Sequence, residues 1–259
     1  MKCTLLAINT GIIKPHNDIV DVLMESLKQQ NLELENGDVL VIASKVIATA
    51  ENRLQKLAEV TASQEPMRYA EKTELPPEFV ELVLAESEKV YGWVPGALLT
   101  LRKGIIQANA GVDASNAPPG YAVLHPTNPS ATADHIRKKI KNRTGARVGV
   151  IISDSHTRPL RMGTTSFALA VSGIQDAVVD ERGKQDLFGR EMRVTRRAVA
   201  DSLATAALLL MGETAERIPM VIIRGAPVAI SEQAATTWDD DMKIDPKRCM
   251  FLGTWGNEA

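Results

Sequence analysis

Apolar residues recur along the chain in two rhythms. Cys3–Ile8 alternates weakly, and Val39–Ala43, Val148–Ile152 and Pro219–Ile223 are short apolar runs. All four have strand length. Phe167–Ile174 is a further apolar run that predicts burial. Asp18–Gln30 instead places Ile19, Val20, Val22, Leu23 and Leu27 at helical spacing. Ser130–Lys141 also reads as a helix, with its basic end suited to the negative end of the helix dipole. Ala198–Met211, rich in Ala and Leu, predicts a third helix. Between these, Asn36-Gly37-Asp38 signals a turn, and Lys45–Arg53 reads as the end of a strand or a loop into the next helix. Ala62–Glu88 is charged and helical in character, broken at Pro76-Pro77. Ala97–Leu101 and Gly104–Ala108 predict a hairpin, and the prolines of Asn116–Gly120 require a loop. Strands and helices alternate irregularly, so the expected class is α+β, with mixed sheets and packed helices, rather than a regular βαβ array. Residues 1–259 are expected to form one domain, or two interlocked subdomains.

Composition narrows the functional classes. Net charge is −2, which gives no argument for binding nucleic acid or an anionic membrane. Aromatic residues make up only 4% of the chain, which argues against a base-stacking surface. No run approaches the roughly 20 apolar residues of a membrane span, and MKCTLLAINTG lacks the pattern of a signal peptide. A cytoplasmic protein is the expectation. The two cysteines, Cys3 and Cys249, match no metal spacing. Free thiols in a reducing compartment are the simpler reading, with one long-range disulfide as the alternative.

Two segments carry the strongest chemical signal. Ala108–Asn116, ANAGVDASN, sets Asp113 beside Ser115 and Asn116, and Val148–Ser155 sets Asp154 between Ser153 and Ser155. Oxygen ligands on tight turns are what a hard divalent cation and a polyphosphate require. The same aspartates would also serve as ordinary turn or cap residues. Arg158 and Arg161 follow Asp154 closely and could hold a phosphate or carboxylate in bidentate fashion, or form surface ion pairs. Asp180 and Asp186 either order the loop Asp180–Gly189 or contribute to the site. Ser44-Lys45 is a candidate phosphate contact, and Gly212 fits a helix C-terminal cap. The histidines, His16, His125, His135 and His156, have no metal spacing, and His156 beside Asp154 is a conceivable acid or base. Neither GxxxxGK[ST], GxGxxG nor GxSxG occurs.

ASK at Ala43–Lys45, ANAGVDASN at Ala108–Asn116, VIISDS at Val150–Ser155, RPLRMGT at Arg158–Thr164, DERGKQDLFGR at Asp180–Arg190 and AVADSLATAALLLMGE at Ala198–Glu213 occur in one order. In this the chain resembles the coenzyme F420-0:L-glutamate ligase family, from about Leu5 to Gly225. The resemblance implies a GTP-dependent γ-glutamyl ligase that activates an acceptor carboxylate as an acyl phosphate, which the glutamate amine then attacks. It also implies Mg²⁺ or Mn²⁺, an uncommon α+β fold and an intimate homodimer. Carried over by residue, Asp113 and Asp154 are metal ligands, and Ser155 and Glu213 belong to a second metal position. Ser44, Lys45 and Asn116 are nucleotide contacts, joined by Gly212 and by the turn Asn9, Thr10, Gly11 and Ile12. Arg158 and Arg161 assist in-line phosphoryl transfer.

The chain departs from the family pattern at Ala48–Arg53, Lys103-Gly104, His125–Ser130 and Thr157-Arg158, where a usual lysine, glycine, histidine and two aspartates are replaced. The metal carboxylates are retained. The open alternatives are therefore ligation to F420-0, the same chemistry on a folate- or pterin-like acid, and a noncatalytic nucleotide-binding homologue.

Overall fold

Val39–Ile42 is apolar at every position because its strand is covered on both faces. In the computed structural model, which describes residues 2–232 and 242–254, this strand is central to a five-stranded sheet. The chain opens with β1 (Thr4–Ile8), α1 (Ile19–Gln29), β2 (Val39–Ala43), α2 (Ser44–Ala50) and β3 (Leu54–Lys56). There follow α3 (Gln64–Thr73), α4 (Pro77–Glu86), β4 (Lys89–Val94), β5 (Ala97–Arg102), β6 (Ile105–Ala108) and β7 (Tyr121–Val123). It continues through α5 (Pro129–Thr144), β8 (Gly149–Thr157), β9 (Thr164–Ser172), β10 (Val178–Asp180), β11 (Arg196–Ala198), α6 (Val199–Met211) and β12 (Met220–Arg224).

The main sheet has the order β1-β12-β2-β8-β9. Within it β2 and β8 run parallel and every other neighbouring pair is antiparallel. Alternation along its strands splits the core in two. Leu40, Ile42, Val150, Ile152 and Ile222 join Leu23 of α1 and Ile136 and Ile140 of α5 in one cluster. Val39, Val41, Ile151, Val221 and Ile223 join Leu203, Ala204 and Ala207 of α6 in the other. The buried alanines of α6 present little side chain between helix and sheet. Asp18 caps α1, accepting hydrogen bonds from the Val20 and Asp21 N–H groups at 2.9 and 3.1 Å. A third cluster, with Phe79, Val80, Val83, Leu98 and Val112, lies around α3, α4 and the three-stranded sheet β4-β5-β6. Separate sheets and unevenly interspersed helices, six of them α-helices among the described residues, agree with the α+β expectation.

Several elements differ from the sequence reading, and three bear on the site. Ser44–Ala50 is a helix rather than a strand end or loop. Ser44, Ile47 and Ala48 are buried on one face, and that packing outweighs the poor propensity of Val46, Ile47 and Thr49. β4 was not anticipated. Gly92 interrupts its pattern, and its register against β5 shifts between Val90 and Gly92. β8 continues past Ile152 to Thr157, its polar half paired with β9. The two cysteines are free thiols, and among the described residues no helix is long and apolar enough to cross a membrane.

Candidate active site

Ala43, the last residue of β2, pairs with Ser153 in the parallel ladder, and β8 runs on beyond it to Thr157. Ser44-Lys45 and Asp154-Ser155 therefore emerge at one edge, the carboxyl ends of parallel strands, where open sheets hold ligands. The register of β8 against β9 shifts between Ile152 and Ser153, immediately before Asp154. Strand irregularities of this kind re-aim side chains beside functional sites. A cleft of about 2000 Å³ opens there. It is lined by Thr10, Gly11, Ile12, Ser44, Lys45, Asp113, Asn116, Asp154, Ser155, Arg158, Arg161, Gly212 and Glu213. Asn9 does not line it. The Asn9 backbone is tied to Gln30, the C-cap of α1, by bonds of 3.1 and 3.0 Å.

Asp113 is brought to the cleft by a short bridge to Val123, the last residue of β7. Its carboxylate accepts from the Ser115 N–H at 2.7 Å and the Ser115 hydroxyl at 2.6 Å, which fixes the turn. Lys45 forms an ion pair with the same carboxylate and donates to the Ser115 hydroxyl at 2.7 Å and carbonyl at 3.0 Å. Burial works to raise the Asp113 pKa. The Lys45 ammonium and the Ser115 hydrogen bonds outweigh it and hold the carboxyl below the ordinary range. Asn116, at φ 54°, donates to the Thr214 carbonyl at 2.9 Å, linking this turn to the segment after α6. Glu213 is held from the other side by the Thr164 hydroxyl at 2.8 Å. Gly212 ends α6 at φ 65°, and a Cβ there would lie 2.3 Å from Glu216.

Asp154 is backed by a network that sequence reasoning missed. His125, 1% exposed, places Nε2 at 3.3 Å from the Asp154 carboxylate. The contact lacks hydrogen-bond alignment, and Nε2 has no such partner among the described residues. His125 Nδ1 faces an Arg102 guanidinium N–H at 3.1 Å. Guanidinium only donates, so the lone pair lies at Nδ1 and the ring proton at Nε2. Arg102 is held by Glu86 at 2.8 and 3.1 Å. Glu86 also accepts from Arg53, whose Nε donates to the His125 carbonyl at 3.1 Å. Nothing local in the sequence flags a lone histidine beside Pro126, because its role depends on burial against Gly111. A Cβ at Gly111 would lie 2.2 Å from His125 Cδ2.

Among the described residues no group of three His, Cys, Asp or Glu side chains forms a metal cage. Magnesium commonly takes only one or two carboxylates and completes its shell with phosphate and water, so the oxygen donors Asp113, Asp154, Ser155 and Glu213 fit such an ion. Asp180 and Asp186 lie outside the cleft. Asp180 accepts from Arg182 at 2.9 Å, and Asp186 accepts from the Phe188 and Arg190 N–H groups at 2.8 and 2.9 Å, so both order their own loop.

The F420-0:gamma-glutamyl ligase family model matches residues 7–225, the span that contains every cleft residue described above. The chain belongs to this family. It is 41% identical to the coenzyme F420:L-glutamate ligase of Methanopyrus kandleri over 82% of each chain. It is 39% identical to that of Archaeoglobus fulgidus over 92% of this chain and 95% of the relative. Against that of Methanocaldococcus jannaschii, identity is 44% over 75% and 78%. Two titratable groups lie at and behind the cleft wall. His156 stacks at a tilt on Phe167, centroids 5.0 Å apart. Burial, and then the Arg158 charge, lowers its pKa below the ordinary 6.5. Asp201, which accepts from the Ala168 N–H at 2.9 Å, has its pKa raised chiefly by burial.

Proposed function

We propose that the chain is a GTP- and divalent-metal-dependent ligase that adds L-glutamate in γ linkage to coenzyme F420-0, forming GDP. Family membership supports the reaction class. The observation that carries the reading is the convergence of Asp113, Asp154, Glu213, Arg158 and Arg161 on one cleft from distant segments. In this reading an acceptor carboxylate oxygen attacks the γ-phosphorus, and GDP departs. The glutamate amine then attacks the acyl carbon, loses a proton, and phosphate leaves. Arg158 and Arg161 provide guanidinium donors for the transferring phosphoryl oxygens. Asp113 and Asp154 would hold one Mg²⁺ or Mn²⁺, and Ser155 and Glu213 a second; a bound ion neutralises triphosphate charge. Ser44, Lys45, Asn116, Gly212 and the turn Thr10–Ile12 surround the nucleotide.

The whole chain works as one unit in this account, because the cleft draws on both the main sheet and the β4-β5-β6 sheet. A homodimer fits the exposed Leu160, Met162, Leu187, Phe188 and Val194, which lie on the loop after β8 and the excursion between β10 and β11. The two free thiols fit a cytoplasmic setting. The test is phosphate release from GTP with Mg²⁺, L-glutamate and F420-0, in wild type and Asp154→Asn. Turnover in wild type, lost in a folded Asp154→Asn, is expected. Undiminished turnover in Asp154→Asn would remove Asp154 from the site.

A further inference from the structure

Of three buried side-chain nitrogens at the cleft that lack a hydrogen-bond partner among the described residues, one is His156 Nε2 and the other two lie together against Gly111. These two are Gln107 Nε2 on β6 and His125 Nε2. Their residues are 5% and 1% exposed. An unpaired buried donor is unfavourable, so a neighbouring pair of them in one cleft points to a ligand group that satisfies both. Gly111 brings them together. The position its Cβ would take is 2.9 Å from Gln107 Nε2 and 3.0 Å from His125 Nε2, so the two donors lie within about 6 Å of each other, a span that one carboxylate can bridge. At φ +74°, Gly111 also has the backbone that disfavours any side chain there. The Arg102 contact fixes the ring proton of His125 at Nε2, and Arg53 holds its backbone carbonyl, so this donor is preorganised.

We infer that Gln107 and His125 bind the carboxylate of the acid that the enzyme activates. The inference rests on the ligase reading above and deepens it. L-glutamate offers the same chemistry, but the wall beside Gln107 favours the acceptor. Trp93, Val94 and Leu99, on the same three-stranded sheet, are exposed and line the cleft, which suits an acid with an aromatic or apolar body. Beside Asp154, the bound carboxylate lies next to the residue assigned to the metal and phosphate.

The test is calorimetric binding of F420-0, and separately of L-glutamate and GDP, to wild type, Gln107→Met, His125→Phe and His125→Gln. Mg²⁺ and GDP accompany the F420-0 and glutamate titrations, so that no turnover occurs. Gln107→Met and His125→Phe should each weaken F420-0 binding roughly 10- to 100-fold, the loss of one hydrogen bond to a charged group. Binding of GDP and glutamate should stay within about twofold. His125→Gln, which can set an amide N–H in the same place, should retain most of the affinity. Ligand-free Gln107→Met should unfold at the same denaturant midpoint as wild type or a higher one, because it deletes an unpaired donor. Unchanged F420-0 affinity in Gln107→Met, or a loss confined to glutamate, overturns the inference. If wild type binds and glutamylates another carboxylic acid but not F420-0, the acceptor assignment fails and the same variants test the subsite with that acid. If wild type binds no carboxylic acid, the inference falls with the reading it rests on.

Discussion

Gly111→Ala should be among the most damaging single-methyl changes in the molecule, and the reason separates into two parts. At φ +74° an alanine is strained by about 1 to 2 kcal/mol. Its Cβ would also lie 2.2 Å from His125 Cδ2, inside any real contact distance. His125 has little room to yield, since Arg102 faces its ring at 3.1 Å and Arg53 holds its carbonyl at 3.1 Å. Overpacking a constrained site adds about 1 to 3 kcal/mol, for a total of about 2 to 5 kcal/mol. Gly120 supplies the control. It has φ +80° and nothing within 4 Å of its Cβ position, so Gly120→Ala should show the strain alone. The assay is urea unfolding of both variants with linear extrapolation, the m-value confirming a comparable transition. Gly111→Ala should fall below Gly120→Ala by at least about 1 kcal/mol and lose nucleotide-dependent turnover. Equal stabilities, with normal turnover in Gly111→Ala, would refute the placement of His125.

Three further outcomes follow from the packing and charge. Asp38, 1% exposed, accepts from Arg224 at 3.0 and 2.8 Å and from the Glu35 N–H at 2.8 Å. Asp38→Ala should destabilise by about 2 to 4 kcal/mol in denaturant unfolding, and a loss under about 0.5 kcal/mol, the range of an ordinary surface change, would contradict the buried pair. His156 has a folded pKa below its ordinary 6.5, so between those values the unfolded chain binds more protons and stability falls as pH drops through 6.5. The difference between wild type and His156→Phe should therefore be flat above about pH 7 and shift in favour of the variant below it; a pH-independent difference would refute the shift. On the proposed homodimer, wild type should have a dimer's mass in light scattering and Leu187→Asp with Phe188→Asp a monomer's, whereas a mass unchanged by the substitutions would free that excursion from any interface role.

Much of this fold was legible because burial imposes simple rhythms. Val39–Ala43 and Val148–Ile152 read as strands since both faces of the sheet are covered; α1 read as a helix from its spacing, α5 from its basic end, and α6 from its Ala and Leu content with Gly212 as C-terminal cap. α2 was not legible because β-branched Val46, Ile47 and Thr49 mimic a strand, and only tertiary packing makes them helical. The polar half of β8 was hidden because Ser153–Thr157 reads as a turn until β9 lies against it. At the site, the turn chemistry around Asp113 and Asp154 singled out both aspartates. His125 and Gln107 gave no such signal. Their interest comes from being buried over a glycine 14 and 4 residues away in sequence, with Arg102 setting the tautomer of His125, and no local pattern encodes that.

The central claim is tested most directly by incubating the protein with GTP, Mg²⁺, L-glutamate and F420-0 and weighing the acceptor by mass spectrometry. Folate- and pterin-type acids serve as parallel acceptors. The account predicts that F420-0 gains the mass of one or more glutamyl residues, with GDP formed in step, the first new amide joining the acceptor carboxyl to the glutamate amine and any later one on the side-chain carboxyl of the preceding glutamate. GTP that binds without any glutamyl gain would leave a nucleotide-binding homologue, and gain on another acid alone would assign the cleft to that acid; either would contradict ligation to F420-0.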